Sequence, residues 1–280
     1  MDLRQVMKLR AVEESKKEFL KVFREMCYSR SGWQVWADLI TAMACSIANV
    51  TDRRHPVWKK REDEYMDCIG RLGGVEKPAQ CFAQIVNALD QNPNQDFLGE
   101  LYMELELGNH WKGQFFTPYS ICRMMSEITI DENIKEKIEQ QGYIAVNDCA
   151  CGAGATLVAA ANTFRYKKIQ FQNHILFTAQ DIDRVVGMMC YIQLSLLGCA
   201  GYVVIADSIT NPMVGDALFP VEQKGQEFWY TPLWFSDIWQ GRRLWRKIDR
   251  MMKPLTEKKI ELPNGNGKYF FFDFSKEITI

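Results

Sequence analysis

Ten residues, Asn147 to Thr156, constrain this chain more than any other stretch. They read Asn-Asp-Cys-Ala-Cys-Gly-Ala-Gly-Ala-Thr. The apolar run Tyr143–Val146 before them predicts a buried strand, and Leu157–Ala161 after them predicts the first turns of a helix. Strand, small-residue turn and helix, in that order, form the floor of a nucleotide-type site in an open α/β sheet. Gly152 and Gly154 let the backbone approach a ligand with no Cβ in the way. Asp148, at the carboxyl end of the strand, offers an acceptor to a cationic or amine-bearing ligand. No third glycine follows the G-x-G, and no Lys-Ser or Lys-Thr follows the turn. Both the dinucleotide fingerprint and the phosphate-cradling loop are therefore disfavoured.

The rest of the chain supports an α/β class. Short apolar runs at Ile144–Val146, Ile175–Thr178 and Tyr202–Ile205 predict strands. Thr156–Thr163 and Arg184–Leu197 predict the helices between them, and Ser120–Ile128 predicts the helix that opens the domain. This alternation argues for a parallel sheet with crossover helices. Residues 1–109 read instead as helices, at Val12–Met26, Trp33–Ile47, Asp63–Leu72 and Ala79–Leu89, with Asp96 placed to cap a further one. The expected organisation is an N-terminal helical domain over 1–109 and an α/β domain over 110–280. Near the end, Lys259–Leu262 and Lys268–Phe274 flank Pro263-Asn264-Gly265-Asn266-Gly267, which predicts a β-hairpin.

Composition narrows the function classes. At 280 residues the chain can hold one large domain or two modest ones. A net charge of −1 advertises no global basic field for nucleic acid. Nine cysteines, no secretory h-region in Met1–Leu20 and no apolar run of membrane-spanning length favour a reducing, cytoplasmic setting away from membranes. Cys149 and Cys151 form a C-x-C pair, but His55, His110 and His174 are scattered. No metal site is expected.

A small-residue turn with an acidic strand end suits a ligand without phosphates, such as S-adenosylmethionine. Five blocks sharpen this. They are Asp96-Phe97-Leu98-Gly99-Glu100-Leu101-Tyr102, Gly113-Gln114-Phe115-Phe116-Thr117-Pro118, the Asp148–Thr156 turn, Ala179-Gln180-Asp181-Ile182-Asp183 and Ile205-Ala206-Asp207-Ser208. In this order the series resembles the methylation subunits of type I restriction–modification systems and related N6-adenine DNA methyltransferases. Their pattern runs D-x-L-G-x-x-Y, G-Q-F-x-T-P, D-P-A-C-G-T-G-G, G-x-D/E-I, G-D-S-L and N-P-P-F. The resemblance implies a Rossmann-like S-adenosylmethionine-dependent methyltransferase domain acting on adenine N6 in DNA. It implies cofactor contacts from Gln114, Phe116, Thr117, Asp148, Ala150, Gly152, Gly154, Asp181, Ile182, Asp207 and Ser208.

Each role has a plainer competitor. Phe116 either packs on the cofactor or is a core aromatic, and Thr117 either bonds the cofactor carboxylate or starts a helix with Pro118. Asp181 either accepts both ribose hydroxyls, with Ile182 on the adenine face, or caps the next helix. Asp183 can do that capping and free Asp181. Asp207, supported by Ser208, either receives the adenine amine or ends a strand.

The N-P-P-F block is not intact. Asn211-Pro212-Met213-Val214 keeps Asn-Pro without the aromatic, and it follows Asp207 closely. Thr231-Pro232-Leu233-Trp234 keeps one proline and the aromatic, and follows a run, Phe228–Tyr230, placed to be a fourth strand. N6 transfer needs an amine-proton acceptor and a stacking face for the extruded base. Asn211 is the better acceptor, and Thr231–Trp234 has the better position. The competing reading is a catalytically degenerate module that binds cofactor or a partner. Trp239-Gln240-Gly241-Arg242-Arg243-Leu244-Trp245-Arg246-Lys247 is either a DNA-backbone contact or a solvated amphipathic helix. No region after residue 250 is long enough for a separate target-recognition domain. Specificity for DNA would come from a separate specificity subunit or would be low, and a homo-oligomer is the other partnership expected.

Overall fold

The computed structural model describes residues 3–107, 116–131, 133–257 and 278–279. Five helices come first: α1 Leu3–Met26, α2 Gly32–Thr51, α3 Val57–Arg71, α4 Glu76–Gln91 and α5 Phe97–Glu104. The α2 segment is apolar almost all round and is correspondingly the buried centre of this group. Its start is fixed by the Ser31 hydroxyl, which accepts from the Gln34 N–H. In α4, Cys81, Ile85, Ala88 and Leu89 recur at helical spacing and bury one face. The Asp96 carboxylate caps α5 through the Gly99 N–H, as its position in the sequence predicts.

Then α6 (Tyr119–Thr129) and α7 (Ile134–Gln141) lead into the sheet. Strand β1 is Ile144–Asp148, followed by α8 (Ala155–Tyr166) and a short α9 (Phe171–His174). Strand β2 is Ile175–Asp181, α10 is Arg184–Leu196 and β3 is Ala200–Ile205. These three strands run parallel: Asp148 pairs with Ala179, and Asp181 pairs with Ile205. Their acidic or post-acidic ends are therefore brought to one edge by register alone. The α/β alternation is as the sequence predicts.

Beyond β3 the chain departs from expectation. A small hairpin, β4 (Val214–Asp216) with β5 (Phe219–Val221), stands apart from the main sheet. The Asp216 carboxylate accepts from the Leu218 N–H and makes that turn locally. Strand β6 (Glu227–Tyr230) includes the expected fourth strand, but it runs antiparallel to β3 at the sheet edge. A 3₁₀ turn, Pro232–Phe235, leads into the long helix α11 (Asp237–Glu257). Strand β7 (Ile278–Thr279) pairs parallel with β1 on the side away from β2, giving the order β6-β3-β2-β1-β7. The expected hairpin over 259–274 lies outside the described residues.

One hydrophobic cluster runs from Val12, Phe19 and Trp36 in the helices, through Leu157 and Tyr191, to Trp229 in β6. A buried ionic network joins the same layers. Arg61 donates to the Asp52 carboxylate at 2.8 Å and to the Phe228 carbonyl at 2.9 Å. Arg54 grips Asp52 and Glu222 and lies over the Tyr230 ring. Arg184, on α10, bridges Glu64 and Glu227. The helical layer is thus fixed to the far edge of the sheet through the buried Asp52–Arg61 pair and the partly exposed pairs around it.

Candidate functional site

The carboxyl ends of β1, β2 and β3 meet at a knot of backbone and carboxylate hydrogen bonds. The strand order turns at β1, whose neighbours are β2 on one side and β7 on the other. Ligands in open α/β sheets bind outside strand carboxyl ends at such a switch.

Asp148 is buried, and its carboxylate organises the turn itself. One oxygen accepts from the Ala150 N–H at 3.1 Å, and the other accepts from the Thr156 hydroxyl in a short contact. The Cys151 N–H donates to the Gln180 carbonyl at 3.0 Å, which pins the turn to β2. Cys149 and Ala150 face solvent, whereas Cys151 is buried against Cys190. The Cys190 thiol and burial push the Cys151 thiol well up, so it is a packing residue and not a nucleophile.

The two glycines have different reasons to be glycine. Gly154 has φ +93°, and a Cβ there would lie 2.7 Å from Cys190 Sγ and 3.2 Å from its Cα. Close approach of α10 therefore demands Gly154, a helix-packing requirement that stands beside the expected ligand cradle at this position. Gly152 has φ +54°, and a Cβ there would touch the Phe116 ring at 3.4 Å. Phe116 in turn packs against Tyr102 of α5, with ring centroids 5.3 Å apart and the planes tilted by 31°. Gly154→Val is expected to lose most folded protein, and Gly152→Val to fold and lose ligand. Circular dichroism melts beside ligand titration check this, and a well-folded Gly154→Val would refute the packing assignment.

Asp181 holds the centre. Its two oxygens accept from the Gly152 N–H at 2.8 Å and from the Asp183 N–H at 2.9 Å. Each carboxylate oxygen keeps a further lone pair for a ligand hydroxyl. Burial pushes this carboxyl above its ordinary value, against the pull of those two N–H bonds. Asp183 caps α10, accepting from the Val185 and Val186 N–H groups, so Asp181 is not the cap. Ile182 beside it is exposed. Asp207 lies two residues past the partner of Asp181 in β3 and accepts from the Ile209 and Thr210 N–H groups. Those bonds hold its carboxyl below the usual value. Ser208 is next to it and half-buried, and Thr117 is exposed at the entry to α6. Gln114 lies outside the described residues.

The two amine-acceptor candidates separate. Asn211 is at the carboxyl end of the parallel strands: Gln180 donates to the Asn211 and Ala206 carbonyls and accepts from the Met213 N–H. The Asn211 amide itself donates to the Lys224 carbonyl, and Pro212 is exposed. Thr231 sits at the other end. Its hydroxyl bonds the Cys199 carbonyl at 2.7 Å and the Gly201 N–H at 3.0 Å, at the amino end of β3. Gly201 and Asp207 are six residues apart along and just past β3, on the order of 20 Å if extended throughout. Pro232 starts the 3₁₀ turn, and Trp234 packs on Tyr202 and Tyr230 under the Arg243 guanidinium. Thr231, Pro232 and Trp234 are structural here. The reason is β6, which runs antiparallel to β3 and carries them away from the carboxyl ends of the parallel strands.

Two polar residues that support the site escaped the sequence reading. Gln180 is one. Gln193 of α10 donates to Asp96 at 2.7 Å and to the Ala153 carbonyl in the glycine turn at 2.9 Å. The Leu98 N–H donates to the Gln193 oxygen, so Asp96 fixes the turn through Gln193 besides capping α5. Glutamines in apolar surroundings were the available signal.

The N-6 DNA Methylase family matches residues 94–266, more than half of the chain. The chain belongs to the N-6 DNA Methylase family. The matched span holds the glycine turn, Asp181, Asp207 and Asn211, so the knot described above is this methylase family's own segment. A search of curated proteins finds no match. Among solved structures, the chain is similar to the methyltransferase subunit of a type I restriction–modification system from Streptococcus thermophilus. The identity is 13%, over 74% of this chain and 59% of that one, with a TM-score of 0.33. The chain thus spans under two thirds of that subunit's length. The family match alone decides the membership.

Proposed function

We propose that this N-6 DNA Methylase family chain is an S-adenosylmethionine-dependent methyltransferase for adenine N6 in DNA, built on a Rossmann-like domain behind an N-terminal helical domain. One observation carries the reading: Asp181 is immobilised between the Gly152 and Asp183 N–H groups, beside the Gly152–Phe116 contact. A carboxylate held this way is preorganised for the paired hydroxyls of a ribose, and the Phe116 ring lies at the same turn. The absence of a third glycine and of a P-loop lysine fits a nucleoside cofactor without phosphates.

In this reading, Asp181 orients the ribose and Asp207 receives the adenine amine of the cofactor. Asp148 keeps the turn in shape through Ala150 and Thr156, and Ile182 and Phe116 supply apolar surface. The cofactor, when bound, supplies an electrophilic methyl group. Asn211-Pro212 is the acceptor candidate at the carboxyl end of the parallel strands. DNA is the substrate proposed, and a separate specificity subunit is the partner proposed for sequence selection. Among the described residues no helix is long and apolar enough to cross a membrane.

Tritiated S-adenosylmethionine incubated with the protein and adenine-rich duplex DNA tests this. Label is expected on N6-methyladenine after DNA hydrolysis. Cofactor binding without label in any DNA would favour the non-catalytic module instead.

A further inference from the structure

Tyr102 of α5 joins the core of the helical layer to the glycine turn. It is 2% exposed, and its ring lies between two others. On the inner side is Trp36 of α2, with centroids 6.0 Å apart. Trp36 in turn meets Phe19 and Phe23 of α1 edge-on. On the outer side is Phe116, half-buried. Its Cδ1 and Cε1 lie 3.4 and 3.5 Å from the place that a Cβ on Gly152 would take. A column of aromatic rings thus runs from α1 to the turn. Thr117 and Pro118, which follow Phe116, are exposed, so the ring takes its height over Gly152 from the ring it rests on. The amino end of α5 reaches the same turn by a second route. Gln193 accepts from the Leu98 N–H and donates to the Asp96 carboxylate and to the Ala153 carbonyl. Helix α5 therefore meets two adjacent residues of the turn, Gly152 and Ala153, from its two ends.

We propose that Tyr102 is a positioning residue for the ligand of the glycine turn: it holds the Phe116 ring as a fixed aromatic wall beside Gly152. This rests on the reading that the turn seats S-adenosylmethionine, and it adds that the helical layer builds part of the seat. Tyr102 is too buried to touch a ligand itself, so it acts through Phe116. Gly152 puts no side chain between the turn and that wall, and the adenosyl group is flat and aromatic. Aromatic pairs prefer offset or tilted arrangements of defined geometry. A ring at position 102 therefore fixes the plane of Phe116. An aliphatic side chain there fills the space and leaves that plane free to tilt. The ring does this work and the hydroxyl does not. Burial, and then the nearby Asp183 carboxylate, raise the phenol above its ordinary value, so it stays neutral and adds no charge to the site.

Calorimetric titration of the whole chain with S-adenosylmethionine and, separately, with its demethylated product tests this, since both carry the adenosyl group. Tyr102→Phe keeps the ring and is expected to match the wild-type Kd. Tyr102→Leu and Phe116→Leu are each expected to raise Kd about 5- to 10-fold for both ligands, the worth of one aromatic pair. The double variant is expected to be no weaker than the worse single one, because the two rings act as a unit. Circular dichroism melts confirm that each variant is folded at the titration temperature. Tyr102→Met, whose side chain adapts to a core, takes the place of Tyr102→Leu if the latter does not fold. Unchanged Kd in the folded position-102 variant or in Phe116→Leu overturns the proposal and leaves the cofactor reading standing. Tyr102→Phe as weak as Tyr102→Leu overturns it too, since the hydroxyl would then be the working group. Additive losses in the double variant do the same. A wild type that binds neither ligand overturns the cofactor reading and the proposal with it.

Discussion

Replacing Asp52 with alanine is expected to destabilise the protein by about 3–5 kcal/mol, the usual cost of stranding one partner of a buried ion pair. Asp52 is fully buried, and the Arg61 side chain is nearly so. Burial alone pushes the Asp52 carboxyl up, but the hydrogen bonds from Arg54 and Arg61 outweigh it and hold the carboxyl below its ordinary value. Removal leaves the Arg61 charge against the Phe228 carbonyl and the Trp229 ring, with no carboxylate hydrogen-bonded to it among the described residues. The urea midpoint measures the loss, and Asp52→Ala with Arg61→Met should recover part of it, because no charge is then stranded. The pH sign follows from the lowered carboxyl. Its stabilisation is present above the unfolded-state value and is lost as pH falls through the folded-state value. An Asp52→Ala variant with an unchanged midpoint would show that the network is not what joins the helices to β6.

Asp181→Ala is expected to weaken S-adenosylmethionine binding by about 1–3 kcal/mol, the cost of a lost buried acceptor. That is roughly a 5- to 150-fold rise in Kd. The loss has two sources: the ribose acceptor goes, and the Gly152 and Asp183 N–H groups lose their partner, so the turn loosens. Because burial raises the Asp181 carboxyl, the acceptor is neutralised at a higher pH than an exposed aspartate would be. Wild-type affinity should therefore fall as pH is lowered into the acid range, and the variant should lack that fall. Equal affinity in wild type and variant would remove Asp181 from the site.

What the sequence disclosed divides along physical lines. The strand–turn–helix around Asp148 and the parallel strands after it were legible because each is a local pattern of apolar runs and small residues. That Asp183 and not Asp181 caps α10 was also legible, since a capping acid sits immediately before its helix. The role of Gly154 was not, because its neighbour Cys190 is distant in sequence and only packing brings α10 so close. Thr231–Trp234 misled for a related reason. An apolar run declares a strand but not its direction, and β6 turned out antiparallel. Gln180 and Gln193 act through backbone carbonyls, which a one-dimensional reading cannot pair.

The most direct measurement is a calorimetric titration of the folded wild-type chain with S-adenosylmethionine and, separately, with its demethylated product. The account predicts saturable binding of one molecule per chain, weakened by Asp181→Ala and by Gly152→Val. No heat from either ligand at millimolar concentration, with the protein shown to be folded in the same buffer, would contradict it.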